Sequence, residues 1–433
     1  MQPPKQTVSR WFQLLACVIS MMAIANLQYA WTLFTIPLSE SLSATLSAVQ
    51  LAFTLFILAE TWLVPVEGYL IDKLGARVVV SVGSILVALG WIGSGFANSL
   101  GALYFWYALG GAGAGAVYGA SIGTALKWFP DRRGLAAGLA AGAYGFGTAL
   151  TILPIMAMIE SSGYRTAFIV WGVIQGVVVL LAAQFLRKPP ADWKPAVGQK
   201  PAKTLVVQNT VSYTPGQMVR TGTFWLMYSM MAMVAFGGLM VTAQLKPIAA
   251  TYGMDKHLIA FGVTALGLAL VLDRILNGLT RPFWGWISDH IGRYNTMAIA
   301  FGLEAAGIFA LLHLLDRPLW FVILSGFVFF AWGEIYSLFP AAIGDIFGPT
   351  YATTNYGIQY TAKGTASIFA GFGAAWLVET AGSWIPVFWV AVACDISAAG
   401  LAFFWLKPLA RKLALGRVES GAPLEARGTA PAS

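Results

Sequence analysis

Apolar stretches of about 20 residues or more recur from one end of this 433-residue chain to the other, each long enough to cross a bilayer as a helix. Written as spans they cover 11–38, 47–71, 78–97, 102–126, 135–159, 166–186, 223–246, 259–284, 296–315, 319–342, 357–379 and 385–406. Only 10% of the residues are charged, against about 25% in soluble domains, which excludes a soluble enzyme. The first run, interrupted by Gln28 and Tyr29, is too long for a cleavable signal segment and is expected to stay as the first span. The expected fold class is an all-α membrane protein of twelve transmembrane helices.

The twelve runs fall six and six around a stretch holding Pro189, Pro190, Pro195 and Pro201 among Lys188, Lys194, Lys200 and Lys203, which is linker composition. The expected organisation is an N-terminal six-helix bundle (1–186), a cytoplasmic linker (187–221), a C-terminal six-helix bundle (222–406) and a cytoplasmic tail (407–433). The tail is rich in Gly, Ala and Pro and reads as disordered. Of 26 Lys and Arg residues, 19 lie in the N-terminal tail, the even-numbered gaps and the C-terminal tail. Arg165, Lys246, Lys256 and Arg317 are the basic residues of the odd-numbered gaps. This asymmetry puts both termini in the cytoplasm, and it accounts for the net charge of +8 without a nucleic-acid partner. Cys17 and Cys394 both fall in apolar runs, so neither a disulfide framework nor a metal knuckle is expected.

The halves carry a repeat. Gly68-Tyr-Leu-Ile-Asp72-Lys-Leu-Gly75-Ala-Arg77 and Gly285-Trp-Ile-Ser-Asp289-His-Ile-Gly292-Arg293 share Gly-x3-Asp-x2-Gly followed by Arg, 217 residues apart. Each copy follows the second span of its half, so the chain reads as two parallel six-helix pseudo-repeats, the plan of major facilitator transporters. Asp72, Arg77, Asp289 and Arg293 are the gating candidates: a clasp that pairs across the seam between halves in one state and releases in the other. The competing reading is a turn with a solvated charge pair. Gly111, Gly115 and Gly119, and Gly134, Gly138 and Gly142, have the spacing that lets helices approach closely, which ordinary packing also explains.

Three basic residues remain, all inside spans: Arg274, Arg281 and Lys363. A charge at the bilayer centre costs about 2.5–3.5 kcal/mol, so these mark function. Arg274, Asn277 and Arg281 share one helical stripe, and Gln359, Tyr360, Lys363 and Ser367 another. Two inward cations, Arg281 and Lys363, imply an anion between them. Gln28, Tyr29, Tyr118, Tyr144, Trp332 and Tyr336 interrupt other spans. Tyr118 and Tyr336 are 218 apart, close to the repeat offset, which places them at equivalent depth around a shared cavity. Belt positions at the interface account for most of the 17 Trp.

Asn26-Leu-Gln28-Tyr29-Ala-Trp31-Thr-Leu33, Lys127-Trp-Phe-Pro130-Asp-Arg-Arg-Gly134, Asn277-Gly-Leu-Thr-Arg281-Pro-Phe-Trp-Gly285 and Asn355-Tyr-Gly357 followed by Tyr360-Thr-Ala-Lys363 resemble the oxalate/formate antiporter family. The resemblance runs from the first span to the eleventh. It implies exchange of small carboxylates, with Arg281 and Lys363 binding the carboxylates and the cage of Gln28, Tyr29, Tyr118, Tyr144, Trp332 and Tyr336 closing around them. Three positions depart from that pattern: Tyr360 where a tryptophan is expected, Glu334 where a small residue is, and the added pair Asp273-Arg274. A buried acid among Glu334 and Asp273 that takes a proton each cycle would instead make a proton-coupled monocarboxylate (lactate- or formate-like) symporter. Glu60, Glu304 and Asp395 read as paired structural charges or span-end residues.

Two cations facing one cavity repel in low dielectric, so the occluded, unloaded carrier is disfavoured and reorientation requires a bound anion, which makes exchange obligatory. His257, His290 and His313 sit in gaps or at span ends with no HExxH, Walker or Ser/His/Asp spacing, so no catalytic set, metal site or cofactor is expected. The expected partners are a small carboxylate substrate and the lipid bilayer. The carrier is expected to work as a monomer in a bacterial inner membrane.

Overall fold

A computed structural model describes residues 9–129, 133–189, 212–348 and 350–410, without the side chains of residues 72, 133, 134 and 353. Much of the expected linker and tail, and the centre of the Lys127–Gly134 motif, therefore lie outside the described residues.

Among the described residues the helices make twelve passes. The first is Arg10–Tyr29 continued by Trp31–Ser41, the second Leu46–Trp62 with Val64–Leu74, the third Ala76–Phe96 and the fourth Leu100–Trp128. The fifth and sixth run through Arg133–Phe146, a 3-10 turn at Gly147–Leu150 and Ile152–Phe185, parted at Gly163, whose φ of +82° only glycine adopts readily. The seventh to ninth are Gly222–Thr251, Ala265–Ile291 and Arg293–His313. The tenth is Pro318–Trp332 with Ile335–Phe347. The eleventh is Ala352–Ile368, a π turn at Phe369–Gly373 and Ala374–Ala381, and the twelfth is Ile385–Gly400 extended by Leu401–Leu406. The eighth span begins six residues later than the apolar run implied, because Leu258–Ala260 and Val263–Thr264 pair as a short antiparallel hairpin.

Among the described residues eight segments are long and apolar enough to cross a membrane, one of them, Leu135–Phe185, holding two passes, and the bent second span is a ninth. The eighth and eleventh spans fall outside that group because they carry Asp273, Arg274 and Arg281, and Gln359, Tyr360 and Lys363.

Breaks in the helices have identifiable causes. The second span bends 44°. Pro65, two residues past the break, has no N–H to return to the Thr61 carbonyl. The tenth breaks at Gly333, where an added Cβ would meet the Thr280 side chain and, at 3.1 Å, the Asn277 carbonyl of the eighth span. The Gly111, Gly115 and Gly119 stripe faces the second span: a Cβ on Gly115 would lie 2.5 Å from the Glu60 carbonyl. Gly142 and Gly145 of the fifth span abut Gly278 and Asn277 of the eighth, at 3.1 and 3.0 Å for such a Cβ. Gly138 faces open space, and Gly134 is outside the described side chains.

Both repeat turns have the same backbone: Gly75 and Gly292 end their helices at φ of +86° and +88°. In this structure their arginines reach within their own halves. Arg77 Nη2 donates to Gln184 of the sixth span at 2.7 Å, and the Asp72 side chain lies outside the described residues. Arg293 bonds Asp289 at 2.9 Å and Asp345 of the tenth span at 3.1 Å. At the end distal to these turns, the halves are stitched directly. The Ser47 N–H and hydroxyl donate to the Glu379 carboxylate at 2.8 and 2.6 Å. Gln50 bonds Gln244 at 2.9 Å, and the Thr54 hydroxyl donates to the Ser367 carbonyl at 3.0 Å.

Candidate functional site

Midway along the spans, the polar stripes of the eighth and eleventh helices face each other across a closed set of rings. The rings run in an unbroken series: Tyr29 to Tyr144 at 5.4 Å, Tyr144 to Tyr118 at 5.4 Å, Tyr118 stacked on Tyr360 at 5.7 Å, Tyr360 to Tyr336 at 6.2 Å, and Tyr336 edge-on to Trp332 at 5.4 Å. The series draws on the first, fifth, fourth, eleventh and tenth spans, so both halves build it. Every ring expected from the sequence is in it, and none is more than 9% exposed. Tyr118 and Tyr336 meet through Tyr360 rather than directly.

Arg281 enters from the eighth span, 2% exposed, with its guanidinium 4.3 Å from the Tyr336 ring centre. Its Nη1 donates to the Ala141 carbonyl of the fifth span at 2.5 Å. Nε and Nη2, the edge that fits a carboxylate in two places, meet no acceptor among the described residues. Asn277, one turn earlier, donates to the Tyr29 hydroxyl at 3.0 Å and so ties the eighth span to the first. Arg274 lies between the Tyr29 and Phe329 rings at 4.2 and 4.0 Å, with Asp273 beside it at 3.9 Å.

Lys363 enters from the eleventh span, fully buried, 5.9 Å from the same Tyr336 ring and 5.4 and 5.8 Å from Tyr360 and Tyr144. Its Nζ donates to Gln28 at 2.8 Å and to the Tyr360 hydroxyl at 3.3 Å, and it forms a 2.7 Å ion pair with Glu60 of the second span. The Tyr144 hydroxyl donates to the other Glu60 oxygen at 2.7 Å and lies 3.0 Å from the Gln28 carbonyl oxygen. The expected pair of unmatched cations is thus one matched and one unmatched. Glu60, read from the sequence as structural, is a member of the site, and its only cue was an acid amid an apolar run. Tyr356, 5.7 Å from Tyr360 and one turn before it, was also overlooked.

Other candidates lie elsewhere. Gln359 turns to Met231 of the seventh span, and Ser367 bonds the second span. Glu334 sits at the break of the tenth span, buried and with neither oxygen bonded among the described residues. Its carboxylate interacts electrostatically with those of Asp395 and Glu304. Glu304 and Asp395 flank Gly237 of the seventh span, where a Cβ would lie 2.9 and 3.2 Å from their oxygens.

Among the described residues the unpartnered donors around the rings include Arg281 Nε and Nη2, Arg274 Nε and Nη1, Gln28 Nε2, Tyr336 OH and Trp332 Nε1, against the unpartnered acceptors Asn277 Oδ1 and the two Asp273 oxygens. A buried donor left unmatched costs about 1–3 kcal/mol, so the chemical complement of the Arg281 edge and its neighbouring donors is an acceptor that carries negative charge.

The chain matches the Major Facilitator Superfamily over residues 15–277 and 225–430. It is 38% identical over 407 residues to the oxalate:formate antiporter of Oxalobacter formigenes, covering 93% of each chain. It is 25% identical to monocarboxylate transporter 12-B of Danio rerio, over 78% of this chain and 75% of that one. Among solved structures it resembles that of a D-xylose-proton symporter, with a TM-score of 0.72 at 14% identity over 91% of this chain and 98% of the other. Twelve helical passes, the repeated turns and these likenesses agree: the chain is an integral membrane transporter of the Major Facilitator Superfamily and belongs to its oxalate/formate antiporter family.

Proposed function

We propose that this chain is a secondary active transporter that exchanges small carboxylate anions, oxalate- or formate-like, by alternating access. The reading is carried by Arg281, a buried arginine whose carboxylate-binding edge has no acceptor among the described residues, with further unmatched donors around it. Arg281 grips one carboxylate in two places. Lys363, Gln28 and Asn277 surround it, while Tyr29, Tyr118, Tyr144, Trp332, Tyr336 and Tyr360 exclude water. With the anion absent, the cation and its donors lack partners, which disfavours the occluded state and couples reorientation to a bound anion. Exchange of a dianion for a monoanion would move one negative charge per cycle, worth about 2.3 kcal/mol per 100 mV. The halves, 1–186 and 222–406, rock about the site, and the repeat turns of Arg77 and of Asp289 and Arg293 gate the cytoplasmic side. We place the carrier as a monomer in a bacterial inner membrane, both termini cytoplasmic, with no nucleic-acid partner.

Counterflow tests this. Labelled oxalate is presented to proteoliposomes preloaded with oxalate, with formate or with neither, at equal pH. Uptake confined to preloaded vesicles is expected. Uptake that ignores the internal anion, or that follows only an imposed proton gradient, overturns exchange.

A further inference from the structure

Lys363 has a partner built into the chain. Glu60 Oε2 lies 2.7 Å from its Nζ, both side chains at most 1% exposed, and Tyr144 holds the other carboxylate oxygen at 2.7 Å. An ion pair this deep is retained only with good geometry and further hydrogen bonds, and Gln28, Tyr144 and Tyr360 supply them. Asp273 lies 3.9 Å from Arg274, a looser contact in which neither Asp273 oxygen is hydrogen-bonded among the described residues. With Glu60 paired to Lys363, and Arg274 set between the Tyr29 and Phe329 rings with Asp273 beside it, Arg281 is left as the ring cation with no acid next to it among the described residues. Glu67, two turns beyond Glu60 on the second span, faces Gly115 and bonds none of the cage residues among those described.

Resting on the carboxylate-exchange reading, we infer that Glu60 is a specificity-determining residue that sets the charge of the anion the carrier takes. With the Glu60–Lys363 pair intact, the preferred occupant is a monoanionic carboxylate held at Arg281. A dianion needs a second cation for its other carboxylate, and Lys363 can serve only by leaving Glu60, whose own charge then faces the ligand. Glu60 competes as a tethered carboxylate against the second carboxylate of a dianion and leaves a monoanion undisturbed.

The test compares formate and oxalate, both fully ionised near neutral pH, as half-saturation concentrations for exchange in proteoliposomes. Wild-type carrier should half-saturate with formate at the lower concentration. E60Q keeps the shape and a hydrogen-bonding oxygen while freeing Lys363, and it should raise the affinity for oxalate relative to formate by at least about tenfold, because one unit of nearby charge is removed in low dielectric. K363Q, which leaves Glu60 unpaired, should lose exchange of both anions. E60Q/K363Q restores the single net charge and should exchange formate at least about tenfold faster than K363Q. An oxalate-to-formate ratio changed less than twofold by E60Q overturns the inference, as does a double variant no faster than K363Q. Should the variants fail to survive extraction, a wild-type carrier that half-saturates with oxalate below formate overturns it alone. Wild-type vesicles that exchange neither anion would instead sink the carboxylate-exchange reading beneath it.

Discussion

Arg281→Lys isolates the fork from the charge. Both side chains are cationic, so the long-range attraction of an anion into the chamber is kept. What changes is that Nε and Nη2, parallel and unmatched in the structure, become one ammonium that cannot bond both oxygens of a carboxylate at fixed spacing. One charge-assisted hydrogen bond is lost, worth about 1.5–3 kcal/mol, which is a weakening of about 10- to 150-fold. The bond from Nη1 to the Ala141 carbonyl, which sets the guanidinium over Tyr336, goes with it. Half-saturation of exchange in proteoliposomes, and protection of the detergent-solubilised carrier from heat by formate, should both move by that factor. A variant that half-saturates within about threefold of wild type, under 1 kcal/mol, would refute the assignment of Arg281 as the bidentate anchor.

Three further outcomes follow from the packing. Trp332 lies flat over Gly238, so Gly238→Ala should force the ring away and destabilise by about 1–3 kcal/mol. Gly302→Ala, at a glycine with nothing within 4 Å, should leave the melting temperature unchanged, and equal shifts would count against this packing. Glu379→Gln removes the charge that both Ser47 donors share, so the distal ends of the second and eleventh spans should part about tenfold more often or better. Spin labels at Thr45 and Thr380, both exposed, would report a longer distance, and an unaltered distribution would show that the latch does not hold this end. Arg293→Gln cuts the start of the ninth span from Asp289 of the eighth and Asp345 of the tenth, outside the ring set, so it should slow turnover and leave half-saturation unchanged; a rise in half-saturation would place its effect at the anion instead.

The number of spans, the repeat and the ring residues were legible because each is a local signal: run length, a spaced motif, an aromatic in an apolar stretch. Tyr118, Tyr144, Tyr336 and Tyr360 could be named from such signals, though not the order in which they touch. What escaped is contact between distant stretches. Glu60 and Lys363 are 303 residues apart, and nothing near Glu60 distinguishes an acid that pairs with a site lysine from one that pairs at a helix end. The inward turn of Arg293 toward Asp345 escaped for the same reason. The late start of the eighth span escaped because Leu258, Ile259 and Ala260 are as apolar as a helix would need, and periodicity cannot separate a short strand from the end of a helix.

The two spans too polar to count as membrane-crossing by composition are also the two that furnish the unmatched arginine and the paired lysine. During synthesis each must enter the bilayer before its partners across the molecule are all in place. Asp, Lys and Arg at mid-helix each oppose entry by about 2.5–3.5 kcal/mol, and the eighth span carries three such residues. Its first stable neighbours are already made: Tyr29 for Arg274 and Asn277, and Ala141 for Arg281, all in the N-terminal half. A C-terminal half translated without the first 186 residues should therefore leave its eighth span stranded at the translocation channel or misoriented, and co-expression of the missing half should draw it in. The polarity that suits this carrier to an anion thereby makes its biogenesis sequential, the second half completing insertion against the first.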